Sequence, residues 1–256
     1  MLVATLALCR RDIVRFYRQR SRIIGALGTP LVFWILLGSG LGRSFRVGET
    51  SAPDGGYLEY FYPGTLALIL LFTAIFSTIS VIEDRHEGFL QGVLVAPVPR
   101  TAIVLGKIFG GTTLAVLQAA LFLLLAPVAN THISAAALPM LAVVLAVLAF
   151  ALTGLGFAIA WVLDSTQGFH AIMNVVLIPM WLLSGAVFPP DGASGWIQGV
   201  MLVNPMTYGV SAIRGVLAGG APPGTLASIE TSLILLVAFG IVTLAVSTAS
   251  VHYRQA

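Results

Sequence analysis

Charge is what this sequence has least of. Its 256 residues include 13 basic and 10 acidic side chains, 9% of the chain, where soluble domains carry about 25%. That is too little to cover a water-facing surface. A single cysteine, Cys9, excludes an internal disulfide framework and any multi-cysteine metal site. A single lysine, Lys107, excludes a phosphate-cradling loop of the form G-x-x-x-x-G-K-[ST], because Thr101 stands where the first glycine belongs and Ile108 follows the lysine. Any driving energy must come from another polypeptide or from a gradient. The histidines (His86, His132, His170, His252) are scattered over separate connections with no His-x-x-x-His spacing, so no metal site is expected. No Gly-x-Ser-x-Gly elbow is present, and no pair of carboxylates lies within an apolar run, so the chain is not expected to be an enzyme.

What is abundant is apolar length. Hydrophobic residues make up 58% of the chain and the mean hydropathy is +0.98. At roughly 20 residues per spanning helix the chain holds about six spans with almost nothing left for an aqueous domain. The uncharged run from 108 to 163 would extend about 84 Å as one helix against a hydrocarbon core near 30 Å, so it holds two spans, divided at Asn130-Thr131-His132-Ile133-Ser134. One all-α polytopic membrane domain over 1–256 is expected, with spans near 23–42, 61–82, 103–129, 135–163, 171–188 and 226–250. The run 192–213 carries Gly192, Gly195, Gly199, Gly209 and the Asn204-Pro205 break, unfavourable within one helix. It reads as short helices lying at, or dipping into, one membrane face, within an external segment 189–222.

Six spans put both termini on one side. Arg10, Arg11, Arg15, Arg18, Arg20, Arg22, Arg85, Arg100, Lys107 and Arg254 then face Arg43, Arg46 and Arg214 on the other. The positive-inside rule makes the larger set cytoplasmic, in a plasma or inner membrane. Residues 1–22 are not expected to be a signal peptide, since the arginines follow the apolar residues and no separate apolar core with a small-residue cleavage site is seen. At 100° per residue Arg11, Arg15, Arg18 and Arg22 share one face, opposite Leu2, Leu6, Cys9, Ile13 and Phe16. An interfacial amphipathic helix is expected, its apolar face among acyl tails and its arginines on lipid phosphates or an acidic protein partner. Arg20 breaks the stripe, which predicts an end or bend near it.

The cytoplasmic connection 83–100 opens with a dense mixed-charge cluster, Glu83, Asp84, Arg85, His86, Glu87. It continues through Gly88 as a short apolar helix showing Phe89, Leu90, Val93 and Leu94, and stops at Pro97 and Pro99. A helix of that kind needs lipid, neighbouring spans or a protein groove. Helix-in-groove docking is one ordinary way for two proteins to meet.

The order of these features resembles the membrane subunit of type 2 ATP-binding-cassette exporters, including the daunorubicin-resistance and nodulation-factor permeases. The matching features are a basic amphipathic N-terminal helix, six spans, Glu-Asp-Arg-x-x-Gly closing span two, and Pro-x-x-Arg before Gly106-Lys107. Near the C-terminus, Phe188-Pro189-Pro190, Trp196 and Asn204-Pro205-Met206-Thr207-Tyr208 ending at Arg214 resemble that family's block before its last span. The resemblance implies that Glu83, Asp84, Arg85, Glu87 and Gly88, with the helix from Phe89 through Leu90, Val93 and Leu94, couple to a cytoplasmic ATPase. It further implies two ATPase copies holding ATP and Mg, a second permease subunit (itself or a close relative) and export as the direction. Membrane lipids are expected partners and nucleic acid is not. A drug, lipid or lipid-linked glycan would suit spans without deep charges. A membrane-embedded lipid-modifying enzyme, with the Asp164–His170 connection as the place to look, and a non-transporting scaffold are the other readings.

Overall fold

The computed structural model describes residues 1–41, 56–220 and 225–253, and no strand occurs among them. Arg43, Arg46 and Arg254 of the orientation count, like the end of the expected external segment, lie outside the described residues. The helices are α1 (Leu2–Arg18), α2 (Arg20–Leu41), α3 (Gly56–His86), α4 (Phe89–Val95), α5 (Arg100–Leu123), α6 (Leu138–Val162), α7 (Thr166–Trp181), α8 (Gly195–Val203), α9 (Pro205–Ala218) and α10 (Ile229–Tyr253). Six are long and apolar enough to cross a membrane: α2, α3, α5, α6, α7 and α10.

Local chemistry moves several helix ends away from where run length alone puts them. Expected to continue to 129, α5 stops at Leu123, because Pro127 cannot donate within a helix and the chain closes as a short 3-10 turn with Asn130 at φ 56°. Ser165 starts α7 early by accepting a hydrogen bond from the Gly168 amide at 2.9 Å. At its far end α7 passes into a wide turn over Leu182–Ala186, with Gly185 at φ 78°.

The hub is α3, whose apolar stretch is 83% buried beneath α2, α5, α6, α7 and α9. With lipid outside, packing and interhelical hydrogen bonds hold such helices together rather than exclusion of water. Both are present here. A methyl group built on Gly111 would lie 2.6 Å from Thr153 Cγ2, and one on Gly64 would lie 2.7 Å from Ala186 Cβ and 2.8 Å from its carbonyl oxygen. Trp181 Nε1 donates to the Gly64 carbonyl at 2.9 Å, and Ser247 Oγ donates to Gly154 of α6 at 2.9 Å. Gln118, buried in α5, lies 2.6 Å from the Thr73 hydroxyl of α3.

The residues singled out before the last span separate into two groups. Asn204 caps α9, accepting from the Met206 amide at 3.0 Å, and its Nδ2 donates to the carbonyls of Met180 and Leu183 at 2.6 and 3.0 Å. Pro205 opens α9, where a missing amide costs nothing. Tyr208 ties back to the Leu202 carbonyl at 2.5 Å. Arg214, counted from sequence on the side opposite the basic set, is buried. It donates to the Gly185 carbonyl at 3.0 Å and its guanidinium stands 4.3 Å from the centre of the Tyr60 ring. Trp196 alone remains exposed, at 70%. Gly209 meets Leu148, ten residues or about 15 Å of helix inside α6, so this hairpin enters the bundle.

The Gly64 contact with Ala186 involves backbone, so neither side can yield. Gly64→Ala is expected to destabilise the fold by about 1–3 kcal/mol, read as a lower midpoint in thermal unfolding of the detergent-purified protein. Gly40→Ala, with open space around it, should leave that midpoint in place.

Candidate functional site

At the end of the bundle where α3 finishes, four cations meet four carboxylates. Arg11 of α1 holds Asp84 in a two-pronged pair, 2.8 Å to Oδ2 and 2.6 Å to Oδ1. Arg15 reaches three acids: Asp84 at 2.5 Å, Glu83 at 3.0 Å and Glu87 at 2.6 Å. Arg22, in the first turns of α2, pairs with Glu83. Lys107 of α5 donates to Asp12 at 3.0 Å, to the Ser80 hydroxyl at 3.1 Å and to Asp84. The side chain of Asp84 is completely buried and that of Lys107 is 3% exposed. Formal neutrality is what permits this burial, since an isolated ion taken from water costs several kcal/mol even after relaxation. Burial also pushes the Asp12 carboxyl above the ordinary carboxylate range, with the Lys107 ammonium opposing the rise.

Close backbone approach assembles this corner. α1 runs alongside α5 in the same chain direction, Leu8 over Gly106 and Asp12 over Gly110. A methyl on Gly106 would sit 2.8 Å from Leu8 Cβ. Phe16 closes the contact against Leu114 and Ala26. The chain leaves helical geometry at Gln19 (φ −97°, ψ 84°), which separates α1 from α2. The arginine stripe therefore needs correcting. Arg11, Arg15 and Arg22 face the acids of the chain's own third helix rather than phosphates or another protein, and only Arg18 of the expected interfacial set stays exposed. The apolar stripe divides as well, with Leu2 and Leu6 exposed and Phe16 buried.

Gly88, at φ 76°, lets the chain reverse from α3 into α4, a backbone state that a side chain makes costly. Of the residues read as the docking face of α4, Leu90 is buried and Phe89 and Val93 pack on the core. The Arg11 guanidinium lies 3.6 Å from the centre of the Phe89 ring. Leu94 alone of the four points outward, joined by Gln91 and by Val95 at 88% exposure. The amphipathic pattern was real, but most of its apolar side holds α4 to the bundle. Arg85 turns the other way and ties α3 to the end of α6, donating to the carbonyls of Trp161 and Leu163 at 2.6 and 3.0 Å and to Asp164 at 2.9 Å. Its neighbour His86 meets the Asp164 carbonyl at 2.6 Å.

A family model described as ABC-2 type transporter matches residues 3–218. The chain belongs to the ABC-2 type transporter family. Nodulation protein J of Rhizobium leguminosarum bv. viciae is 28% identical over 256 residues, covering 97% of this chain and 94% of that protein. The daunorubicin resistance ABC transporter permease protein DrrB1 of Streptomyces coeruleorubidus is 21% identical over 259 residues, covering 98% and 86%. Membership of the ABC-2 family makes this chain a transport permease subunit and implies, in general terms, an ATPase partner.

In this ABC-2 corner Asp12 belongs to no motif, and Lys107 belongs to one only as part of the Gly106-Lys107 pair at the start of α5. The signal for Asp12 was available. It is an acid among arginines, four residues from both Leu8 and Phe16, on the face that packs. Lys107 stands only two turns inside a span, a place that reads as a helix end. Asp164, the candidate for enzyme chemistry, is engaged by Arg85, and His170 sits edge-on to the rings of Phe76 and Phe169.

Lys107→Met removes the cation shared by two buried carboxylates and is expected to cost about 3–5 kcal/mol, with Lys107→Arg restoring part of it. Asp12→Asn should cost far less, because the buried carboxylate already disfavours its own charge. Between the ordinary carboxylate value and its raised one, the folded state binds the Asp12 proton more readily than the unfolded state does. The wild type should therefore lose stability relative to Asp12→Asn as pH rises through that window, and the difference between them should stay constant above it. Thermal unfolding across pH reads both effects.

Proposed function

We propose that this chain is the membrane-spanning half of an ATP-driven exporter, and that the outward face of α4 (Gln91, Leu94 and Val95) is where a cytoplasmic ATPase docks. The supporting observation is an exposed apolar face on a short helix whose base is fixed by a buried ion cluster. Force delivered to α4 passes through Leu90, through the Arg11–Phe89 stack and through the Arg15–Glu87 pair to α1, α3 and α5 together. Arg85 hands the same displacement to the α6–α7 connection. Glu83 and Asp84 then act by holding the helix ends in position, since Asp84 is buried and cannot touch a partner.

In this reading two permease chains, identical or closely related, meet two ATPase subunits that hold ATP and Mg. The charged end is cytoplasmic, in a plasma or inner membrane, with both termini on that side. The cargo is apolar or amphiphilic, a drug, a lipid or a lipid-linked glycan. Support for the cargo class comes from the uncharged runs 60–82, 108–163 and 165–190, which offer no charged side chain to an ionic cargo. The name of the daunorubicin resistance permease, a relative, favours export.

Leu94→Glu with Val95→Glu should weaken ATPase docking by about 2 kcal/mol, roughly 30-fold, measured as ATPase subunit copurified with permease of unchanged folded yield. Glu83→Gln and Gly88→Ala should keep the ATPase bound while ATP-driven transport in proteoliposomes falls and hydrolysis continues. Undiminished docking by the double glutamate variant, or full transport by the other two, rejects the assignment.

A further inference from the structure

The first 22 residues carry six arginines, and the structure sorts them into two sets of three. Arg11, Arg15 and Arg22 are taken up by carboxylates. Arg10, Arg18 and Arg20 are exposed, and no described residue pairs with them. Arg10 and Arg18 line an open groove of about 700 Å³ along the outer side of α1, with Ala7, Arg11, Val14, Arg15, Gln19 and Glu87. Its one acid, Glu87, is already bound to Arg15, so the groove presents an uncompensated positive surface.

We propose that this groove binds the phosphate headgroup of an acidic phospholipid, held between Arg10 and Arg18. Charge complementarity specifies an anion, and the rest of the helix surface specifies a lipid. Leu2, Val3, Leu6, Val14 and Tyr17 are 74, 80, 59, 47 and 44% exposed. They flank the arginines along α1, forming a surface suited to acyl chains and poorly suited to water. Arg10 stands between Leu6 and Val14, one turn from each, and Arg18 follows Tyr17. Acyl chains laid on that surface therefore have a guanidinium group beside them at both positions, where a headgroup phosphate can pair with it. An exposed arginine near an anionic surface gains about fivefold in binding, so two arginines discriminate an acidic headgroup from a zwitterionic one. The proposal does not depend on the export reading and stands or falls without a transport assay.

The purified full-length chain, in nanodiscs of equal parts phosphatidylglycerol and phosphatidylcholine, is released into detergent, and the lipids it retains are counted by native mass spectrometry. The wild type should retain phosphatidylglycerol in preference. Arg10→Gln and Arg18→Gln should each reduce that preference roughly fivefold, and Arg10→Lys with Arg18→Lys should keep most of it. As exposed side chains without partners among the described residues, they can change without loss of folded yield, and unfolding midpoints verify this. A preference unchanged in the double glutamine variant overturns the proposal. So does displacement of the lipid by millimolar inorganic phosphate, which would mark a site for the free anion. Intact lipid preference with reduced ATPase copurification overturns it in favour of an acidic protein segment.

Discussion

A carboxylate with no access to water must be neutralised, protonated or excluded from the fold, and Asp84 is neutralised from three directions. Lys107, Arg11 and Arg15 converge on its two oxygens. They come from α5 and α1, helices that meet only because Gly106 and Gly110 admit Leu8 and Asp12. Glu83 brings in α2 through Arg22. No one of these pairs is a strong argument for stability, since desolvation consumes most of what attraction returns. Their combined effect is geometric. Four helix ends must stand in one arrangement for all eight charges to be matched, and a displaced member leaves an unpaired charge in an apolar surrounding.

The opposite end of α3 is held by different means. Trp34, Tyr62 and Phe122 form a ring cluster with centroids 4.9 to 5.9 Å apart, and Tyr57, Tyr60 and Arg214 donate to the carbonyls freed by the wide turn after α7. Between the two ends the helices touch through small residues and single hydrogen bonds such as Thr73 with Gln118, each worth about 0.6 kcal/mol in a membrane. Firm ends with a weakly bonded middle favour motion of whole helices over local rearrangement.

Much of this architecture was legible because it follows from lengths. Apolar runs against bilayer thickness gave the six spans, and glycine with Asn204-Pro205 marked the α8–α9 hairpin. Helix ends were less legible, since a serine cap or a proline moves them by several residues. The arginine stripe was seen and its partner missed. A row of arginines reads the same whether it faces phosphates or carboxylates 73 positions away, the separation of Arg11 from Asp84. Asp12 held the missing information, because an acid on the packing face of a basic helix requires a cation across from it, and one lysine was available.

The size of α4 bears on how such a helix can be a contact point at all. Seven residues fall well below the about 12–15 that an isolated helix needs to be even marginally stable in water. Leu90, Phe89 and Val93 fold it onto the bundle, leaving Gln91, Leu94 and Val95 as its outward surface. That is a small patch, and its area alone would support weak association. Because the backbone is already ordered by Gly88 and by the ion cluster beneath, a partner binding there need not supply the ordering entropy, which is a large part of the cost of association. On the proposed reading, the residues that face away from the ATPase decide how well the outward ones bind, and the same inward contacts carry the load into α3 and α5. Strength of docking and transmission of force then have a common structural origin in the packing of α4 against the buried charges.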